Sequence, residues 1–257
     1  MLGMSAEAQT IDIHKTDGTT VSYPASEVNY IGFTAKQQGG AEPSTPGTAP
    51  AGAEAVDLGL PSGTKWANMN VGASKSEDYG LYFAWGETVG YGSDTSDGHN
   101  FYWTSYKWCN GSENTLTKYC TDSSYGTVDN KTVLDLEDDA AYVNWGSDWR
   151  MPTNAEIGEL LDNTTHEWTT VNGIDGRKFT SKTNGNSIFL PAAGHRWRDS
   201  FSIDSWGGHG GYWPSSSLCL SEPSYVVWFL FHSDNANNDA NSFPRCWGLT
   251  VRPVLRK

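Results

Sequence analysis

Asp135, Glu137, Asp138 and Asp139 form the densest group of hard oxygen donors in the chain and are the residues best suited to converge on a calcium ion. They also stand where a helix opens, with Ala140, Ala141 and Val143 following, and the positive end of a helix dipole favours acids there. A solvated helix start is therefore the expectation, and no metal is expected. The four cysteines, Cys109, Cys120, Cys219 and Cys246, match none of the C-x-x-C spacings of zinc or redox sites. Cys109 and Cys120, near Asn110-Gly111-Ser112, either close a short loop as a disulfide or remain two buried thiols. Six histidines and many serines are present, but no Gly-x-Ser-x-Gly elbow, His-Glu-x-x-His pair or phosphate loop organises them. No catalytic residue and no cofactor is expected, and the chain reads as a non-enzyme.

A different signal lies towards the C-terminus. Between Thr183 and Arg256 there is no Lys, Gln or Met, although the rest of the chain uses all three, and the stretch is crowded with aromatic residues, His, Ser, Asn and Asp. From His195 to Leu249 neither the strand period nor the helix period persists. Such a composition suits contact rather than packing, because aromatics supply wide area at low rotamer cost and short polar residues supply complementarity. The candidate ligand-binding residues are His195, Trp197, Phe201, Ile203, Asp204, Trp206, His209, Tyr225, Phe229, Phe231, His232, Asp239, Asn241, Phe243, Arg245 and Trp247. About half of the aromatics are expected at the surface, since Tyr225 to Leu230 is apolar on both strand faces and needs partial burial. Asp234, Asn235, Asn237, Asn238 and Asp239 read as a polar turn rather than a metal site.

These residues need a frame. The chain has 257 residues, 28 Gly, 12 Trp and 12 Tyr with only 18% charged residues, a composition of strands and structured loops rather than a helical bundle. A net charge of -13, with thinly spread basic residues, excludes a phosphate-tracking patch and so a nucleic-acid partner. No apolar run approaches the roughly 20 residues that span a bilayer, so no membrane insertion is expected. Residues 1–9 lack the charged and apolar regions of a complete export signal, though their small residues would suit the tail of a truncated one. Residues 1–34 read as a β-hairpin module turning at Asp17-Gly18, with Val28 to Phe33 as a third strand. Residues 35–54 read as a flexible linker, and the main domain as 55–257. Within that domain Thr64 to Val71, Leu81 to Trp85, Arg177 to Ser181, Ser187 to Leu190, Tyr225 to Leu230 and Thr250 to Val254 are predicted strands. One helix is predicted from about Leu136. Another follows the capping box Thr153-Asn154-Ala155-Glu156, with Ile157, Leu160 and Leu161 as its buried stripe.

Four ordered motifs carry a resemblance: Val56-Asp57-Leu58-Gly59-Leu60-Pro61-Ser62-Gly63-Thr64-Lys65-Trp66-Ala67, Tyr82-Phe83-Ala84-Trp85-Gly86-Glu87-Thr88, Trp149-Arg150-Met151-Pro152-Thr153-Asn154-Ala155-Glu156-Ile157, and Val251-Arg252-Pro253-Val254. The domain resembles the Fibrobacter succinogenes major paralogous domain family and is similar to formylglycine-generating enzymes, which share a C-type lectin-like fold. That resemblance implies an α+β architecture of two helices and mixed, mainly antiparallel strands, preceded by the small β-hairpin module. The N-terminal hairpin and linker resemble leader modules of Bacteroidetes surface proteins. The domain is further similar to the variable proteins of diversity-generating retroelements, whose template AAC codons cannot become Lys, Gln, Met, Glu or Trp. In that reading 195–249 is the variable region, and Glu222, Trp197, Trp206, Trp213, Trp228 and Trp247 come from scaffold or from other template codons. Glu222-Pro223 is similar to the Glu-Pro pair of sugar-binding C-type lectins, but Ser224 follows it instead of Asn. Cys219 and Cys246 lie late in the chain without the context of the reactive cysteines of formylglycine-generating enzymes. The resemblance implies a ligand-binding or adhesion protein at the cell surface or outside the cell, or on a phage virion, with a protein or glycan ligand and no implied oligomeric state. A structural surface or fimbrial-tip module and a formylglycine-generating-type oxidase are the alternatives.

Overall fold

The computed structural model describes residues 10–14, 19–24, 47–205, 208–233, 236–237 and 242–256. The chain divides into two units, Met1–Glu42 and Pro43–Lys257. In the first, β1 (Thr10–His14) pairs antiparallel with β2 (Thr20–Pro24), setting Ile11 opposite Tyr23 and Ile13 opposite Val21. The Asp17-Gly18 turn and the third strand expected at Val28 to Phe33 lie outside the described residues.

The second unit is mostly β-sheet with two short α-helices. In chain order it contains β3 (Ala55–Asp57), β4 (Lys65–Ala67), β5 (Tyr82–Phe83), α1 (Ala140–Trp145), β6 (Trp149–Arg150), α2 (Asn154–Asn163), β7 (Thr164–Val171), β8 (Ile174–Ser181) and β9 (Ser187–Pro191). Then come β10 (His195–Trp197), β11 (Ser200–Ser202), β12 (Asp204–Ser205), β13 (Gly208–His209), β14 (Gly211–Leu218), β15 (Tyr225–Phe231), β16 (Ala236–Asn237), β17 (Ser242–Pro244), β18 (Leu249–Thr250) and β19 (Val254–Leu255). The sheets run β3-β4-β19-β6, β7-β8-β9 and β14-β15-β16 with β17 also on β15, beside the pairs β5-β18, β10-β11 and β12-β13. Every strand pairing among the described residues is antiparallel, so the architecture is broadly α+β.

The helix after Pro152 forms as its capping box requires: the Thr153 hydroxyl accepts from the Glu156 amide, and Glu156 accepts from the Thr153 amide at 2.9 Å. Glu156 also holds Arg150 in a fork, at 2.7 and 2.5 Å, and this pairing keeps its carboxyl at about 2 despite partial burial. Ile157 and Leu160 are buried against Trp66, Phe179, Leu190, Trp213, Phe229 and Phe231, which ties α2 to the β14-β15 sheet. The buried Arg252 of the last motif donates to Asn70 Oδ1 and to the carbonyls of Ala67 and Phe189 at 2.8 to 3.0 Å. That inward turn divides the predicted strand Thr250 to Val254 into β18 and β19.

Several expectations are corrected. The acids at 135–139 are only in part a solvated helix start: Glu137 is exposed, but Leu136–Asp138 is a single tight turn, α1 begins at Ala140, and Asp138 and Asp139 are each 2% exposed. Asp138 accepts from Lys118 Nζ and the Tyr119 hydroxyl, both at 2.5 Å. Asp139 caps α1 through the amides of Ala141 and Tyr142 and also accepts from the Met151 amide at 2.8 Å, while burial pushes its carboxyl up to about 6. Their lone pairs serve the fold, and among the described residues no cluster suited to a metal ion forms. The segment read as linker also shortens from its C-terminal side. The Gly47 amide donates to the Val143 carbonyl at 2.7 Å, and Ala49 and Ala53 pack on the core around Trp85, Trp145 and Trp149. All four cysteines are free thiols; Cys109 Sγ donates to the Trp103 carbonyl at 3.0 Å and Cys120 Sγ to that of Asp122 at 3.1 Å. Among the described residues no helix is long and apolar enough to cross a membrane.

Candidate binding face

Alternation along β14 and β15 sorts the aromatic stretch into two sets. Register places Trp213 opposite Phe229 and Gly211 opposite Phe231, so these rings share one side of the sheet, while Tyr212 opposite Leu230 and Pro214 opposite Trp228 share the other. The first side is the inner one. Phe229 and Phe231 lie at 1% and 0% exposure in the core beneath α2, with ring centroids 5.9 and 4.8 Å from Trp213. Their expected place on a ligand-binding surface is therefore wrong: even spacing along a strand puts both into the core.

The second side carries a different assembly. Tyr212 stacks on Trp228 at 4.9 Å, and Trp228 meets Phe243 edge-on at 4.4 Å because β17 sets Phe243 opposite Val226 on the same side. Phe243 contacts Trp247 at 4.3 Å; Trp247 stacks on His195 at 4.9 Å and leans on Trp197 at 5.7 Å. His195 closes the ring by meeting Tyr212 at 5.4 Å. Exposure rises along this series: Tyr212 and Trp228 are buried, Phe243, Trp247 and His195 half-buried, and Trp197 is 41% exposed. Burial pushes the His195 imidazole down to about 4 and the Tyr212 phenol up to about 12, so both are neutral at pH 7. Nδ1 of His195 and Nε1 of Trp228 are buried with no hydrogen-bond partner among the described residues.

The hairpin that presents His195 and Trp197 is fixed from beneath. The buried Arg196 grips Asp97 through two bonds of 2.6 and 3.0 Å and donates to the carbonyls of Gly92 and His99, while its backbone exchanges bonds with Gly248 at 2.8 and 2.9 Å. Gly194, just before the hairpin, adopts φ +60°, and a Cβ there would meet the Ser202 carbonyl at 2.0 Å. No family model, curated protein or solved structure matches this chain. Its local chemistry therefore carries the functional reading.

The structure brings His195, Trp197, Phe243 and Trp247 together and disperses the remaining candidates. Arg245 is 1% exposed; its guanidinium donates to the carbonyls of Tyr119, Pro223 and Lys118 at 2.6 to 3.0 Å and lies over Trp85 and Tyr106. It cross-links loops and is not a surface ligand contact, because the side chain is buried and both terminal nitrogens donate to backbone carbonyls. Phe201 is half-buried, its ring 5.6 Å from Tyr82 on the interior side of the hairpin. Exposed His209 pairs with Asp175 at 3.1 Å. Ile203, Tyr225 and His232 are half-buried, and His232 offers its carbonyl to Arg177 at 2.6 Å. Asp204 is described by its backbone pairing with His209; Trp206, Asp239 and Asn241 lie outside the described residues. Sequence reading missed Tyr212 and Trp228, which support the face, and Arg198 and Tyr102, which edge it. Tyr102 lies far outside the biased stretch and carries no local signal; Arg198 is visible only as the residue after Trp197.

Proposed function

We propose that this chain is a non-enzymatic ligand-binding protein in which a C-type lectin-like scaffold presents a diversified aromatic and polar surface, as a retroelement variable protein of the cell surface or a phage virion. The observation that carries this reading is the graded aromatic series from buried Tyr212 and Trp228 to exposed Trp197. Rings held from below by other rings keep their orientation without a ligand, so little rotamer freedom is lost on binding. A few such anchors each contribute about 2 kcal/mol or more to recognition, with neighbouring polar residues excluding water. The burial of the four motif regions in the frame is consistent with one scaffold supporting a variable face: Trp66, Trp85, Met151 and Arg252 are all buried.

The test is to pan the full chain against a looped-peptide library and a glycan array, alongside a Trp197→Ser/Trp247→Ser variant. Binders that fail on the variant, with its fold intact by near-ultraviolet circular dichroism, support the reading; binders indifferent to both substitutions overturn it. The diversification component has its own check in the neighbouring DNA, which should hold a near-copy of the segment encoding His195 to Leu249 differing only at adenines, beside a reverse transcriptase.

A further inference from the structure

The chain carries 30 acidic residues against 17 basic ones, so an arginine whose guanidinium has no hydrogen-bond acceptor at all is unexpected. Every other arginine is engaged: Arg150 with Glu156, Arg196 with Asp97, and Arg177, Arg245, Arg252 and Arg256 with backbone carbonyls. Arg198 differs. Its guanidinium lies 4.6 Å from the Tyr102 ring centroid and 4.9 Å from that of Trp197, exposed to solvent, with no hydrogen bond or ion pair to any described residue. The adjacent Asp199 is exposed and makes no ion pair with it. Two backbone bonds with Phe101, of 2.9 and 3.0 Å, pin the residue. It adopts φ 55°, a left-handed conformation that suits Gly or Asn better than a side chain like arginine's.

A guanidinium oriented by two rings, held by a strained and anchored backbone and left without an acceptor, is a preformed fork for a planar anion. We propose that Arg198 is the anionic-group anchor of the aromatic face, and that its partner is a protein surface presenting an Asp or Glu carboxylate beside a large apolar side chain. This rests on the binding reading above. The carboxylate would accept both guanidinium N–H groups while the apolar neighbour covers Trp197 and Trp247, and Arg, Trp and Tyr are the residue types that dominate interface hot spots. An acidic sugar would satisfy the guanidinium but would not bring the large apolar neighbour that the adjoining rings accommodate.

The test uses the full chain and a random disulfide-looped peptide library displayed on phage, with selected peptides remeasured by calorimetry. Expected are peptides that carry Asp or Glu next to an aromatic or branched residue and that bind Arg198→Gln at least about tenfold more weakly, a loss of about 1.4 kcal/mol. Arg198→Lys should recover only part of the loss, and selection on Arg198→Glu should return Lys- or Arg-bearing peptides instead. All three variants should melt with the parent, because the side chain is exposed. Peptides that depend on Trp197 but show no acidic preference and bind Arg198→Gln equally would overturn the anchor while leaving the binding function standing. Peptides indifferent to both Trp197 and Arg198 would overturn both. Arg198-dependent binding confined to uronate- or sialate-bearing glycans on an array would overturn the protein partner.

Discussion

The two sides of the β14-β15 sheet are built from the same residue types and end in opposite roles. Beneath it, Trp213, Phe229 and Phe231 sit with Phe179, Leu190 and Ile157 under α2, and all are buried. Above it, Tyr212, Trp228 and Phe243 pack with Leu249 and Trp247, and among the described residues the aromatic series ends at exposed Trp197. Aromatic content does not distinguish them; coverage does. A sheet face roofed by a helix becomes core, whereas the less completely covered face leaves its outermost ring in solvent, where it is open to contact.

Phe229→Ala or Phe231→Ala should be the most damaging change, costing about 3–5 kcal/mol in chemical denaturation through the cavity left under α2. A cost near zero would show that the inner face is not the core. Arg245→Ala should follow at about 3 kcal/mol, since three backbone carbonyls lose their donor in a buried place; selective loss of binding without loss of stability would return Arg245 to the ligand site. On the outer face, protonating His195 is disfavoured in the folded state. Its folded value of about 4 lies below the ordinary 6.5, so the stability it contributes is whole above about pH 6.5 and is lost as pH falls through about 4. We expect a loss of about 1–2 kcal/mol across that window relative to His195→Phe, discounted for partial exposure, and NMR titration of the imidazole with a midpoint near 6.5 would refute the buried placement. The smallest effect should come from Trp197→Ser, at most about 1 kcal/mol because at 41% exposure it is the least buried ring of the series. A large loss there would erase the contrast between the two faces.

Local signals in the chain were good guides wherever one short segment supplied every partner. The capping box at Thr153 and Glu156, the hairpin of β1 and β2 and the strand segments near Arg177, Ser187 and Tyr225 all formed close to where their residues predicted. Strand β7, from Thr164 to Val171, was missed because its polar and threonine-rich sequence earns its place only by pairing with β8 along its whole length. The acids at 135–139 misled for a related reason: Lys118, Tyr119 and Met151, which claim them, come from other parts of the chain. In the aromatic stretch, the half-buried His195, Phe243 and Trp247 and the exposed Trp197, which the structure brings together, were among the residues named. Which of its members face outward was not legible, since Phe229 and Trp228 are neighbours of similar character and only strand parity separates them.

Sequence alone determined the capping box of α2, several of the turns and strands, the acidic balance and the concentration of aromatics in one stretch, because each depends on backbone preference, side-chain chemistry or charge read over a few residues. The tertiary structure alone decided that Phe231 is core and Trp197 surface, that buried Arg245 donates to three carbonyls, and that Arg198 meets Tyr102. Those outcomes depend on which distant segments cover a side chain, and burial is a property of the neighbours that arrive rather than of the residue itself.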